Sequence, residues 1–101
     1  VANKMAQAGA LHAELLLMGA HAVTQDVMSE TSADVSAVKQ SLMRAAKQRI
    51  LLVDSSKFRP RAFMQVGQLQ DMHEIITDPG LSDDTQEFLR TLPLKLTVVN
   101  T

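Results

Sequence analysis

Arg49-Ile50-Leu51-Leu52-Val53-Asp54-Ser55-Ser56-Lys57-Phe58 is the stretch that decides the fold. A half-solvated strand alternates polar and apolar positions, and residues 50–53 do not alternate. A strand that is apolar throughout is buried on both faces, and such strands belong to parallel sheets. The run stops at Asp54, where Asp, Ser and Ser in succession favour a loop whose side chains bond their own backbone. The segment therefore predicts a buried strand running into a polar loop over residues 54–61, punctuated by Pro60.

The same signature recurs on both sides. Leu15-Leu16-Leu17-Met18 is closed by Gly19, and His73 to Ile76 is followed by the turn Asp78-Pro79-Gly80. Leu94 to Val99 reads as a fourth strand. Between them the spacing predicts a helix from Asp34 to Lys47. Ser32 or Asp34 caps it, Val35, Val38, Leu42, Ala45 and Ala46 share one face, and Arg44 and Lys47 lie in its last turn. A second helix runs from a Ser82 cap to Leu92, with Asp83 and Asp84 in its first turn. Residues 4–12 read as a short Ala-rich helix and residues 24–33 as loop.

Strands alternating with helices predict an α/β domain: a Rossmann-like, mostly parallel sheet with helices on both faces and right-handed crossovers. Ligands of such sheets lie beyond the carboxyl ends of the strands. The positions that count are then Gly19-Ala20-His21, Asp54-Ser55-Ser56-Lys57 and Thr77-Asp78.

Composition bounds the chemistry. With 101 residues, 46% hydrophobic and 21% charged, the chain is at most one domain, of ordinary globular composition and not collagen-like, coiled-coil or disordered. It has no cysteine, which excludes disulfides, zinc-thiolate sites and thiol catalysis, and a cytoplasmic setting is expected. The longest apolar stretch, Leu15 to Ala20, is far short of the ~20 residues of a membrane helix. Three dispersed histidines predict no metal site, and no cofactor is expected; His12 and His73 read as structural. Ser55-Ser56 lacks the Gly-x-Ser-x-Gly setting of a nucleophile, and the methionines read as core filler.

Charge is uneven. Residues 39–61 hold seven of the ten cations, opposed only by Asp54, while residues 71–87 hold six acids and no cation. One reading is two solvated faces that meet in an oligomer. The sharper reading is an anion pocket, with Lys39 near a helix start and Lys57 in a post-strand loop as its cations. Nucleic acid is not expected to bind this chain: aromatics are 3%, with neither Trp nor Tyr to stack on bases.

The Asp54-Ser55-Ser56-Lys57-Phe58 loop after a buried strand resembles the Asp-x-Ser-Lys-Phe loop in the C-terminal effector domain of DeoR-family transcriptional regulators. Ala37-Val38-Lys39 is similar to that family's Val-Lys helix start, Leu17-Met18-Gly19-Ala20 to its Gly-Ala strand end, and Ile75-Ile76-Thr77-Asp78 with Leu81 to its next strand. The resemblance spans residues 13–99. It implies a fold like that of ribose-5-phosphate isomerase and the coenzyme A transferases, and a sugar-phosphate pocket reused for sensing. Lys39 and Lys57 would then approach a ligand phosphate or its hydroxyls. Asp54 and Ser56 would orient the Lys57 loop or bind hydroxyls, with Gly19 and His21 lining the pocket. The implied partners are a phosphorylated sugar and further copies of the chain. DNA would be reached only through a winged helix-turn-helix that lies outside this sequence. The chain is expected to be the C-terminal part of the effector and oligomerisation domain.

Two departures bear on catalysis. The related isomerase carries acids after its Gly-Ala, where this chain has His21 and Ala22, and a Glu just before the helix lysine, where this chain has Val38. Moving a proton between sugar carbons needs a base near the carbon. The expectation is a domain that binds without turnover and has no catalytic residue. A sugar-phosphate isomerase or deaminase, with His21 as base, stays open as an alternative. A phospho-receiver domain using Asp54 is a weaker one: a receiver needs an acid pair after its first strand and a lysine ending its last, and Lys95 lies near the start.

Overall fold

A computed structural model describes residues 13–100; the helix expected at 4–12 lies outside them. Four strands form a parallel sheet: β1 (Ala13–Met18), β4 (Ala46–Leu52), β6 (Glu74–Thr77) and β7 (Lys95–Val98), in the order β1-β4-β6-β7. Each is one of the four apolar runs, shifted by a few residues. Register places Met18 beside Leu51, Leu51 beside Ile75, and Ile75 beside Leu96. This row faces the core, where Met18, Leu51 and Ile75 are buried.

Helix α1 (Ala33–Ala45) is capped by Ser32, whose hydroxyl accepts from the Val35 amide at 3.4 Å, and Arg44 stands in its last turn. It passes straight into β4, so Lys47 belongs to the strand and not to the helix. Helix α2 (Asp83–Arg90) starts at Ser82, whose hydroxyl accepts from the Thr85 amide at 3.2 Å, with Asp83 and Asp84 in its first turn. Each such cap stabilises its helix by about 1 kcal/mol.

Two expectations are corrected. The first concerns cover. Met43 of α1 and Leu89 of α2 join a single core cluster with Met18, Leu51 and Ile75, so both helices pack on one face of the sheet. The strand order explains this. It follows the chain in one direction, and right-handed crossovers that all step the same way land on the same side. On the opposite face Leu15, Leu17 and Leu52 are 51%, 58% and 54% exposed, and Val99 is exposed with them. The described residues therefore form a one-sided layer.

The second concerns residues 24–33. They are not a loop: β2 (Ala22–Thr24) and β3 (Val27–Glu30) make a hairpin, and β5 (Met64–Gln68) joins it in an antiparallel sheet ordered β2-β3-β5. Val23, Met28 and Val66 all enter the main core, and their burial, about 1.5–3 kcal/mol per large side chain, outweighs the weak strand preference of the neighbouring polar residues. Gln25 takes the left-handed conformation (φ 54°) that the two-residue turn requires.

Candidate binding site at the carboxyl edge of the parallel sheet

The carboxyl ends of β1, β4 and β6 lie side by side, and the six residues singled out from sequence sort there into two clusters. The ends themselves are close: a Cβ built on Gly19 would meet the Leu52 carbonyl oxygen at 3.7 Å.

The first cluster follows β1. Lys39, in α1, donates from Nζ to the Gly19 carbonyl at 2.6 Å and to Glu30 Oε2, forming an ion pair. Glu30 Oε2 also accepts from the His21 amide at 2.9 Å. The Lys39 and Glu30 side chains are only 19% and 10% exposed, so the pair is largely removed from water. His21 turns its ring to the protein surface, where the Arg59 guanidinium lies within 3.2 Å of both ring nitrogens and donates to the His21 carbonyl at 2.8 Å. Arg59 is therefore tied to the end of β1. An open cleft of about 420 Å³ runs beside this cluster, lined by Gly19, Lys39 and the apolar side chains of Leu17, Val38 and Leu42.

The second cluster follows β4, and it is built by two aspartates. Asp54 Oδ1 accepts from the Ser56 amide at 2.8 Å and from the Ser56 hydroxyl, which winds residues 55–57 into a single 3₁₀ turn. Asp78, at the end of β6, accepts from the Ser55 amide at 3.0 Å and from the Gly80 amide at 2.8 Å, so it pins the Lys57 loop to the next strand. The Ser56 hydroxyl first and the Ser56 amide second hold the Asp54 carboxyl below its ordinary pKa of 3.8; the Lys57 charge adds to this. The Ser55 amide, then the Gly80 amide, hold that of Asp78 below the same value. A cleft of about 400 Å³ lies against Asp54 and Asp78, floored by Leu52, Ile76 and Val99. Thr77, buried beside Asp78, has a hydroxyl with no partner among the described residues.

This geometry changes the reading of the loop. The amides of Ser55 and Ser56 are already taken by Asp78 and Asp54, and that of Lys57 by the Asp54 carbonyl, so they are not open to an incoming anion. What the loop offers is the Lys57 ammonium: the two ion pairs among the described residues, Lys39 with Glu30 and Lys47 with Glu14, do not involve it. Among the described residues Lys57 makes no ion pair with Asp54.

Glu30 is the residue that sequence reading missed. Positions 21, 22 and 38 lack the acids expected of an isomerase, yet a carboxylate reaches the end of β1 from β3. Its signal was hidden because residues 24–33 read as loop. A cleft of about 880 Å³ opens elsewhere, between Thr24, Asp26, Arg59, Arg61 and Phe88, and contains none of the six residues. Among the described residues no group of three His, Asp or Glu is placed to hold a metal ion, and no helix is long and apolar enough to cross a membrane.

Ligands of open parallel α/β sheets bind beyond the carboxyl ends of the strands, the edge where these lysines and self-capped aspartate loops lie. The family model for the DeoR C terminal sensor domain matches residues 2–79, and the chain belongs to that family. It is 33% identical over 72 residues to the Uncharacterized HTH-type transcriptional regulator YulB of Bacillus subtilis, covering 71% of this chain and 28% of that protein. It is 32% identical over 53 residues to the L-fucose operon activator of Haemophilus influenzae, covering 52% of this chain and 21% of that protein. The chain thus spans about a quarter of the length of the curated relatives it matches. It is a regulatory sensor domain of the kind found in transcriptional regulators.

Proposed function

We propose that the chain is the C-terminal part of the effector-binding and oligomerisation domain of a DeoR-type repressor of carbohydrate utilisation, and that it senses a phosphorylated sugar without turning it over. The observation that supports this reading is that Gly19, His21 and Lys39 gather after β1 while Asp54, Ser56 and Lys57 follow β4, the neighbouring parallel strand. Lys57 is the cation left to meet a phosphate. Asp54 and Asp78 fix the loop that carries it, and each leaves lone pairs for hydroxyls. One relative is an L-fucose operon activator, which supports a carbohydrate role. The apolar face exposed among the described residues supports the idea of a part-domain, since a face carrying Leu15, Leu17 and Leu52 normally packs against further chain. Ligand binding would favour one of two states of the whole regulator through different affinity for each, and DNA would be met by a domain outside this sequence.

The test is calorimetric titration of ribose 5-phosphate, glucose 6-phosphate and fructose 1-phosphate into wild type and Lys57→Ala. Saturable binding that weakens about ten-fold or more in the variant is expected, because a charge-assisted contact is lost. Equal binding by both proteins removes Lys57 from the site. A coupled isomerisation assay on the same sugars is expected to show no turnover.

A further inference from the structure

We propose that Glu30, with Lys39 as its counter-ion, is a hydroxyl-reading subsite that sets which sugar is accepted. The inference rests on the sugar-phosphate reading above and assigns a part of that site which sequence motifs do not reveal. Lys39 Nζ has three protons, and two are used, on the Gly19 carbonyl and on Glu30 Oε2. Glu30 Oε2 takes both of the carboxylate's bonds from described residues, one from Lys39 and one from the His21 amide, which leaves Oε1 as an acceptor. Among the described residues an ammonium proton and a carboxylate oxygen are thus left over on one ion pair at the end of β1, and Lys39 of that pair lines a cleft with an apolar wall.

That pair matches one chemistry well and another badly. A sugar hydroxyl both donates and accepts, so it bonds Glu30 Oε1 and Lys39 at once. A phosphate dianion only accepts; it would gain Lys39 and be repelled by Glu30 at the same place. Lys39 is therefore a positioning and hydroxyl-binding residue and not the phosphate cation, which leaves that task to Lys57. Because the pair is held by two backbone groups, the Gly19 carbonyl and the His21 amide, it is preset before a ligand arrives.

Glu30→Gln is the diagnostic change. It keeps the shape and the oxygen that accepts from His21 and Lys39, removes the charge, and turns the free Oε1 acceptor into an NH2 donor. Ribose 5-phosphate, glucose 6-phosphate, fructose 1-phosphate and inorganic phosphate are titrated into wild type, Glu30→Gln and Lys57→Ala. The expectation is that Glu30→Gln weakens the preferred sugar phosphate about ten-fold and leaves inorganic phosphate unchanged or tighter, while Lys57→Ala weakens both. A wild-type measurement guards against a variant that folds poorly: the Glu30 side-chain carboxyl carbon and His21 amide resonances shift with the sugar phosphate but not with inorganic phosphate. If Glu30→Gln tightens sugar phosphate and phosphate alike, or changes neither, Glu30 is only a structural counter-ion and the proposal is overturned while the sensing reading stands. If wild type binds no sugar phosphate of the panel, the sensing reading fails and this proposal falls with it.

Discussion

Removing Lys39 should expose how much the fold depends on the Glu30 pair. In Lys39→Met the Glu30 carboxylate stays where β3 puts it, 8% exposed as a residue, with the His21 amide as its remaining donor. Stripping one partner from a buried pair costs about 3–5 kcal/mol. Lys39 keeps a fifth of its side-chain surface in water, so the lower end applies, discounted to roughly 2–3 kcal/mol. For a domain of this size each kcal/mol moves Tm by about 4–8 °C, so a fall of roughly 10–20 °C is expected. The chain has neither Trp nor Tyr, and urea unfolding is therefore followed by far-UV circular dichroism. The double variant Lys39→Met/Glu30→Gln no longer buries a lone charge and should recover at least half of the loss. A single variant within about 0.5 kcal/mol of wild type, with no coupling in the cycle, would refute the reasoning.

Three further outcomes follow from the same geometry. A Cβ at Gly80 would lie 2.4 Å from Ser55 Oγ and 3.1 Å from Ser55 Cβ, so Gly80→Ala should push Ser55 off Asp78, cost about 1–2 kcal/mol, and speed amide exchange at Ser55. Asp54 and Asp78 titrate below their ordinary value, so their loop bonds add stability at neutral pH that is fully present above that value and lost as pH falls through the lowered folded pKa values. Acid titration in the wild type should then show a loss of stability below about pH 4 that is smaller in Asp54→Asn/Asp78→Asn. Leu17→Glu, on the bare face, should change stability by less than about 1 kcal/mol and reduce self-association in sedimentation, whereas Leu51→Ala, fully buried in the neighbouring strand, should cost about 2–5 kcal/mol.

How much of this was legible in the sequence depends on which force dominates each segment. The parallel strands announced themselves, because Leu15–Met18 and Ile50–Val53 are apolar without interruption and little else accommodates such runs. The helix caps at Ser32 and Ser82 were equally plain, since a hydroxyl that accepts from an amide three residues on is a local bond. The antiparallel sheet was not legible in the same way. Its strands are three to five residues long, carry Ser, Thr, Gln and Glu, and turn at Gln25-Asp26 without a glycine. Only Met64-Gln65-Val66-Gly67-Gln68 shows a trace of alternation, and its strand is fixed by pairing with β3 across more than thirty residues of chain. The one-sided cover was hidden for a related reason: apolar runs report burial by something, not the direction in which successive strands are laid down.

The site divides along the same line. Asp54, Ser56 and Lys57 stand at a strand end that local pattern locates, and the Asp54–Ser56 bond is itself local, whereas Lys39, expected near a helix start, lies midway along α1. Glu30 and Asp78 act across tertiary contacts, on Lys39 and on Ser55 respectively, and no spacing in the sequence ties those residues together. Arg59 is a similar case, reaching thirty-eight residues back to His21.

The place where a phosphorylated sugar binds is the most direct test of sensing at the carboxyl edge of the sheet. Titrating ribose 5-phosphate and its hexose counterparts into the isotope-labelled chain and mapping the amide shifts answers this in one experiment. Saturable shifts concentrated at Gly19–His21, Glu30 and Asp54–Phe58 are predicted. Shifts confined to the large cleft at Thr24, Asp26 and Phe88, or no saturable shift with any sugar phosphate, would contradict it.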